Sequence, residues 1–244
     1  MRDIRDASQI HHTEGGWFSA RWHFSFDDYR DPDRMGLGPL RVFNDDRLIP
    51  GAVWPLHPHR DVEGITYVVQ GTFEHKDSAG NGGILLPGAV QRATLGSGMW
   101  HSEGNASATE PLRFLQFWIL PDAPDLPPSV QQQQFERSDR LGRWLRVVGP
   151  AQHDPILVHQ DASVHVAALE PGHEISHPIE EGRGAYLYLI DGAGSFDDRQ
   201  VDSGAAAAIT DAAAVSVRAS APSELILVDV PLDWTPVGVW AGRG

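Results

Sequence analysis

Cysteine is missing from all 244 residues. That single absence excludes disulfides, thiolate nucleophiles and cysteine-ligated zinc or iron-sulfur sites, so any metal must be held by histidine and carboxylate. Positive charge is scarce as well. Nineteen Lys and Arg stand against thirty-three Asp and Glu, a formal net charge of -14, and the basic residues form no cluster. This disfavours electrostatic attraction to nucleic acid or to anionic lipid. The N-terminal stretch MRDIRDASQIHHTEGG lacks the apolar core of a signal peptide, and no window approaches the uninterrupted length of a membrane span. The expectation is a soluble protein of the cytoplasm. Helical periodicity is weak too, with short helices or turns expected only around FSFDDYRDPDRMG and near residues 128 to 142.

What is present reads as strand. GITYVVQGTFEHKD, PLRFLQFWILP, AYLYLIDGAGSFDD, AVSVRAS and ELILVDVP are apolar or alternating runs broken by Gly, Pro, Asp and Asn, which predicts an all-β fold. With 41% hydrophobic residues the chain can build one large domain or two small ones. Residues 121 to 139 are proline-rich, then glutamine-rich, without a strand pattern; they read as a connection between two β units. Across it runs a weak internal repeat. TYVVQGTFEHKDSAG aligns with LYLIDGAGSFDDRQV, and LRFLQFWILP with ELILVDVP, which predicts two copies of one β-barrel or sandwich unit.

The twelve histidines are not scattered evenly. His57 and His59 open one strand, and His101 and Glu103 follow some forty residues later. Residues two apart on a strand share a face, so each pair can aim both side chains at one point. Together the pairs offer three imidazoles and one carboxylate, a donor set that suits Fe(II) and also Mn(II), Co(II), Ni(II), Cu(II) or Zn(II). Metal binding of this kind needs neutral imidazoles and an ionised carboxylate, so affinity should fall below roughly pH 6. Gly96 and Gly98 read as positive-φ turn residues ahead of His101, and Pro87 with Gly88 as a turn between strands.

Other features read as structural. His75 alternates with Phe73 on an outgoing strand, which suggests a surface or hydrogen-bonding role, and His11, His12, His23, His153, His159 and His165 have no partner at metal spacing. His173 and His177 leave room for a weak second site. GNGG and GAGS lack the helix start and lysine of a phosphate loop. The acidic pairs in FNDDR and IEEGR read as solvent-facing or turn-capping, and Tyr67, Phe73, Phe114, Phe117 and Trp118 as core or pocket wall.

HPHR, TYVVQGTFEHKDSAGN, PGAVQ and GSGMWHSE, with WHFSFDDYRDPDRMGLGPLRVFNDD upstream and VHQDASV downstream, closely resemble the pirin family of bicupins. The resemblance spans most of the chain. It implies two tandem cupin-type, jelly-roll-like barrels packed against each other: residues 1–130 as a metal-binding cupin and 131–244 as a degenerate one. It implies a metal held by His57, His59, His101 and Glu103, with Fe(II) as first choice. Some shorter bacterial members are known as quercetin 2,3-dioxygenases. Carried over, that activity would have Glu103 take the hydroxyl proton of a flavonol, as base or as ligand, with dioxygen as co-substrate and carbon monoxide released. Other members act as interaction partners of transcription factors or metabolic enzymes, so a metal or redox sensor with a protein partner is the alternative. A sealed site under an exposed patch would favour the sensor, and an open site at the floor of a pocket the enzyme. A monomer is expected, since two cupins can cover each other's sheets.

Overall fold

Each of the apolar runs becomes a strand, and glycines, prolines and aspartates end them. In the computed structural model, which describes residues 2–242, 53% of the chain is strand and 4% helix. Among the described residues the helical elements are three 3-10 turns, Ala7–Gln9, Arg137–Asp139 and Gly238–Trp240. No helix of the described residues is long and apolar enough to cross a membrane.

The chain forms two cupin units. In the first, a seven-stranded sheet runs in the order Ser129–Gln134, Ala89–Thr94, Glu63–Gln70, Leu112–Ile119, Leu40–Leu48, Phe18–Trp22, His11–Glu14. It faces a four-stranded sheet ordered Val53–His59, Met99–Asn105, Phe73–Asp77, Gly82–Leu85. The second unit repeats the plan. A six-stranded sheet runs Arg2–Arg5, Ala206–Ile209, Arg183–Asp191, Ser223–Pro231, Ser163–Leu169, Leu145–Val148, and a four-stranded sheet runs Glu174–Pro178, Ala214–Ala219, Ala193–Phe196, Arg199–Asp202. The internal repeat is visible in this order: Glu63–Gln70 and Arg183–Asp191 occupy matching central places in their sheets.

The two large sheets pack face to face. Phe43, Ile65, Tyr67, Leu115 and Phe117 from one meet Val164, Tyr186, Tyr188, Ile226 and Val228 from the other in a single buried cluster. The central strands are therefore covered on both faces, which is why they read as near-continuous apolar runs rather than alternating ones.

Two features depart from expectation. Residues 128 to 142 are not only turns: Ser129–Gln134 is an edge strand, antiparallel to Ala89–Thr94, and the expected boundary between residues 130 and 131 falls inside it. Its side chains give no apolar alternation because four consecutive glutamines face solvent, while the ladder itself is made by backbone groups that any non-proline residue supplies. The chain's start also crosses over. Arg2–Arg5 pairs with the alanine strand Ala206–Ile209 of the second unit, Ile4 opposite Ala207.

The acidic run in FNDDR is a clear correction. Asn44, Asp45 and Asp46 are all buried, because Leu40–Leu48 is a central strand with a barrel on one face and the other unit on the opposite face. Asp45 points between the units, where Arg113 Nη2 and the Tyr188 hydroxyl donate to its Oδ2 at 2.7 and 2.6 Å. Asp46 alternates to the barrel side. Glu180 and Glu181 of IEEGR are solvent-exposed as expected.

Candidate metal centre

Two neighbouring strands of the first barrel build the site. Met99–Asn105 pairs with Val53–His59 so that His101 lies opposite His57 and Met99 opposite His59. The turn that delivers the second strand uses Gly96 and Gly98 at φ 28 and 125, backbone that side-chain-bearing residues rarely adopt. At Gly96 an added Cβ would also run into the Leu126 carbonyl. The register then shifts, with Glu103 opposite Trp54. Such a bulge re-aims side chains beside it, and it falls at Pro55, which has no N–H to give the ladder. His57 Nδ1 donates to the Pro55 carbonyl at 2.7 Å, which holds the ring in the tautomer that leaves Nε2 free as a ligand.

The three imidazoles converge. His57, His59 and His101 each present a nitrogen within 4.8 Å of the others. Glu103 joins them, Oε1 lying 3.2 Å from His101 Nδ1 and Oε2 3.9 Å from His57 Nε2. These atoms crowd together without bonding each other: both ring nitrogens of His101 and Glu103 Oε2 are buried and have no hydrogen-bond partner. Lone pairs gathered in this way call for a shared cation, so the donor set fits a divalent metal. Electrostatics agree. Burial, then His57, lowers His59 to about 4, and burial, then His57, His59 and His75, lowers His101 to about 2. Both are therefore neutral, the ligating form. Burial pushes the free Glu103 carboxyl up to about 8, and a cation beside it would favour the ionised form.

Further groups hold the site. His75 is fully buried, not on the surface; it lies opposite Glu103, with Nε2 3.2 Å from Asp77 Oδ2 and Nδ1 3.3 Å from Gln91 Nε2. Its expected hydrogen-bonding role is what the structure shows. Gln116 Nε2 donates to Glu103 Oε1 at 3.4 Å.

His57, His59 and Glu103 of the cluster line a cavity of about 390 Å³, with His101 buried behind them. Phe18, Trp22, Phe26, Trp54 and Trp118 form its walls, while His57, His59, Glu103, Asn44, Asp46 and Gln116 supply polar atoms. Trp118 packs edge-on against His59, ring centroids 4.7 Å apart. Asn44, Asp46 and Gln116 were not anticipated from the sequence. Their two-residue spacing on strands was legible, but nothing in it told a barrel-facing polar residue from a solvent-facing one.

The second barrel lacks the cluster. Where His57 faces His101 in the first, His177 faces Val215, and where Glu103 faces His75, Val217 faces Phe196. His173 is solvent-exposed and His177 buried. His177 Nε2 lies 2.8 Å from Asp229 Oδ2, and its ring meets His165 edge-on with centroids 4.8 Å apart, a neighbour that sequence spacing did not show. Of the other histidines, His23 Nδ1 meets the Tyr186 hydroxyl at 2.7 Å and His159 Nδ1 meets Glu63 at 2.8 Å.

Two stacked cupin barrels, one with a convergent histidine cluster and one without, define the class: a bicupin with a candidate metal centre in its N-terminal unit. Comparison with known proteins carries this further. The Pirin family model matches residues 4–119, and the quercetinase C-terminal cupin domain matches residues 147–230. The chain is 35% identical over 229 residues to the quercetin 2,3-dioxygenase of Escherichia coli K12, covering 93% of this chain and 98% of that one. It is 34% identical over 231 residues to a pirin-like protein of Caulobacter vibrioides, covering 94% and 99%. The crystal structure of YhhW from Escherichia coli superposes with a TM-score of 0.90 at 35% identity, covering 97% of this chain and 99% of that one. The bacterial pirin YhhW in complex with nickel(II) gives 0.89 at 34%, covering 97% and 100%. The chain belongs to the pirin family.

Proposed function

We propose that this protein is a metal-dependent dioxygenase that cleaves quercetin or a related flavonol with dioxygen and releases carbon monoxide. The observation that carries the reading is the convergence of His57, His59 and His101, with Glu103 beside His101 and His57, next to an aromatic cavity of ligand size that His57, His59 and Glu103 help to line. These four residues would hold one divalent transition metal. Fe(II) is the first choice on the family resemblance, and the donor type suits Mn, Co, Ni, Cu and Zn as well. The related bacterial pirin YhhW forms a complex with nickel(II), which supports metal binding by this chain too.

When bound, such a metal supplies Lewis acidity and an electron path toward dioxygen. The chain's own residues do the rest. Phe18, Trp22, Trp54 and Trp118 sandwich a planar ring system and exclude water from its reacting edge. Glu103, held ionised beside the cation, takes the flavonol's enol proton, and Gln116 orients it. The second cupin unit is the scaffold of this arrangement, and the whole acts as a cytoplasmic monomer.

The sensor alternative would be favoured by a sealed site. The cavity opening onto His57 and His59 supports the enzyme instead. The test is an aerobic quercetin assay on metal-stripped protein reloaded separately with each of the six metals, following flavonol absorbance and carbon monoxide. Turnover that disappears in His59→Ala and Glu103→Ala is expected. Tight metal binding with no turnover under any metal would reject the reading.

A further inference from the structure

The cavity holds two polar groups that metal binding does not use. Asn44 and Asp46 lie two residues apart on Leu40–Leu48 and both line the cavity. Their spacing puts both on one strand face, roughly 7 Å apart along the strand. Both residues are 3% exposed, and Oδ1 of each is buried with no hydrogen-bond partner. Their neighbours do not relieve this. Asn44 lies between Trp22 and Gln116, whose carbonyl and amide are engaged by Thr66 and Glu103; Asp46 lies between Ala20 and Phe114, which have no side-chain polar atom.

Buried acceptors of this kind are normally satisfied, and a central strand is a costly place to leave two of them bare. The aromatic walls offer nothing beyond the indole N–H groups, so a ligand hydroxyl entering this cavity meets acceptors that no protein group has taken. We propose that Asn44 and Asp46 form a hydroxyl-reading subsite. It selects planar aromatic ligands carrying hydroxyl groups beyond the oxygen that meets the metal centre, and it sets which end of the ligand lies against Leu40–Leu48. The proposal rests on the flavonol reading above for the ligand class, but it concerns recognition, not turnover.

The expected discrimination is large for a small chemical change. A site built to hydrogen-bond a hydroxyl loses far more with an analogue lacking it than an apolar wall loses with a missing methylene. One ligand hydroxyl meeting one stranded acceptor should be worth about tenfold in affinity.

The experiment is calorimetric titration of the nickel-loaded protein under argon, so that no turnover intervenes, with quercetin and with 3-hydroxyflavone, which keeps the enol but lacks the ring hydroxyls. The wild type should bind quercetin at least about tenfold more tightly. In Asn44→Leu and in Asp46→Leu that ratio should shrink to below about threefold, because quercetin loses the donors' partners. A ratio near one in the wild type overturns the proposal even if neither variant folds, and so does a ratio that survives both substitutions. Failure to bind either ligand overturns it too. The two readings fail separately: no carbon monoxide with an intact ratio sinks the dioxygenase and leaves the subsite, whereas turnover with a flat ratio does the reverse.

Discussion

Gln116 is clamped between Thr66 and Glu103: the Thr66 hydroxyl donates to its carbonyl at 2.8 Å, so its amide nitrogen is turned toward Glu103 Oε1 at 3.4 Å. The clamp fixes which end of the amide meets the carboxylate, and hence how that carboxylate faces the three imidazoles. Groups that orient a ligand in this way commonly affect metal affinity by about 10- to 100-fold.

Replacing Gln116 with Leu should therefore weaken metal binding by about one to two orders of magnitude while leaving the thermal midpoint of the metal-free protein little changed. Thr66→Val should produce a smaller loss in the same direction, since it frees the amide without removing it. Chelator competition reads both. Equal affinity in wild type and Gln116→Leu would show that the contact does not orient Glu103.

Metal uptake should be coupled to one proton. Burial raises free Glu103 to about 8 and lowers free His59 to about 4. A metal that takes the ionised carboxylate must displace its proton at any pH below the raised value. Apparent affinity is then expected to climb about tenfold per pH unit through the neutral range and to level off above about 8, a higher window than histidine alone would impose. Calorimetry in buffers of different ionisation enthalpy counts the released proton; a count of zero at pH 7 contradicts the assignment.

Arg113 and Asp45 form a buried, two-pronged ion pair between the units, Nε to Oδ1 at 3.0 Å and Nη2 to Oδ2 at 2.7 Å. Arg113→Met strands a carboxylate in the interface and should cost about 3–5 kcal/mol. The double variant Arg113→Met with Asp45→Leu should recover much of that loss, because no charge is then left unpaired. Urea unfolding of the three proteins decides it, and a single variant as stable as wild type would mean that Arg47, 3.7 Å from Asp45 Oδ1, or water takes over the carboxylate.

His165 gives the second unit an acid-sensitive point. Burial, then His177, lowers its imidazole from 6.5 to about 4. The unfolded state thus binds the proton more readily than the folded one, so this contribution to stability is whole above pH 6.5 and is lost as pH falls toward 4. His165→Phe should make the fall in stability across that window shallower, by up to about one proton. Denaturant titrations at several pH values measure the slope; an unaltered slope assigns the acid sensitivity elsewhere, for instance to His23, which burial lowers to about 3.

Much of this molecule could be read before its structure. The apolar runs became the central strands, the repeat reappeared as matching places in two sheets, and two residue pairs at two-residue spacing met at one point. Each of these follows from local periodicity, which the backbone geometry of a strand translates directly into facing. The misread parts share a cause. The glutamine strand Ser129–Gln134 carries no apolar signal because its ladder is made by backbone alone. Asn44, Asp45 and Asp46 look like a solvated acidic run because what buries them is distant in sequence: Asp45 meets Arg113 and Tyr188, and Asn44 and Asp46 face a cavity closed by other strands.

By itself, then, the sequence determined the strand content, the two-unit repeat and the cysteine-free donor chemistry, and it pointed to the histidines His57, His59 and His101 that the fold gathers. Tertiary structure alone decided what each polar residue faces. His75 became a buried neighbour of Glu103, His177 found His165 and Asp229, and Asn44 and Asp46 came to line the cavity. The reason is physical: alternation says that two residues share a face, but burial depends on what packs against that face, and in this chain the packing comes from strands distant in sequence.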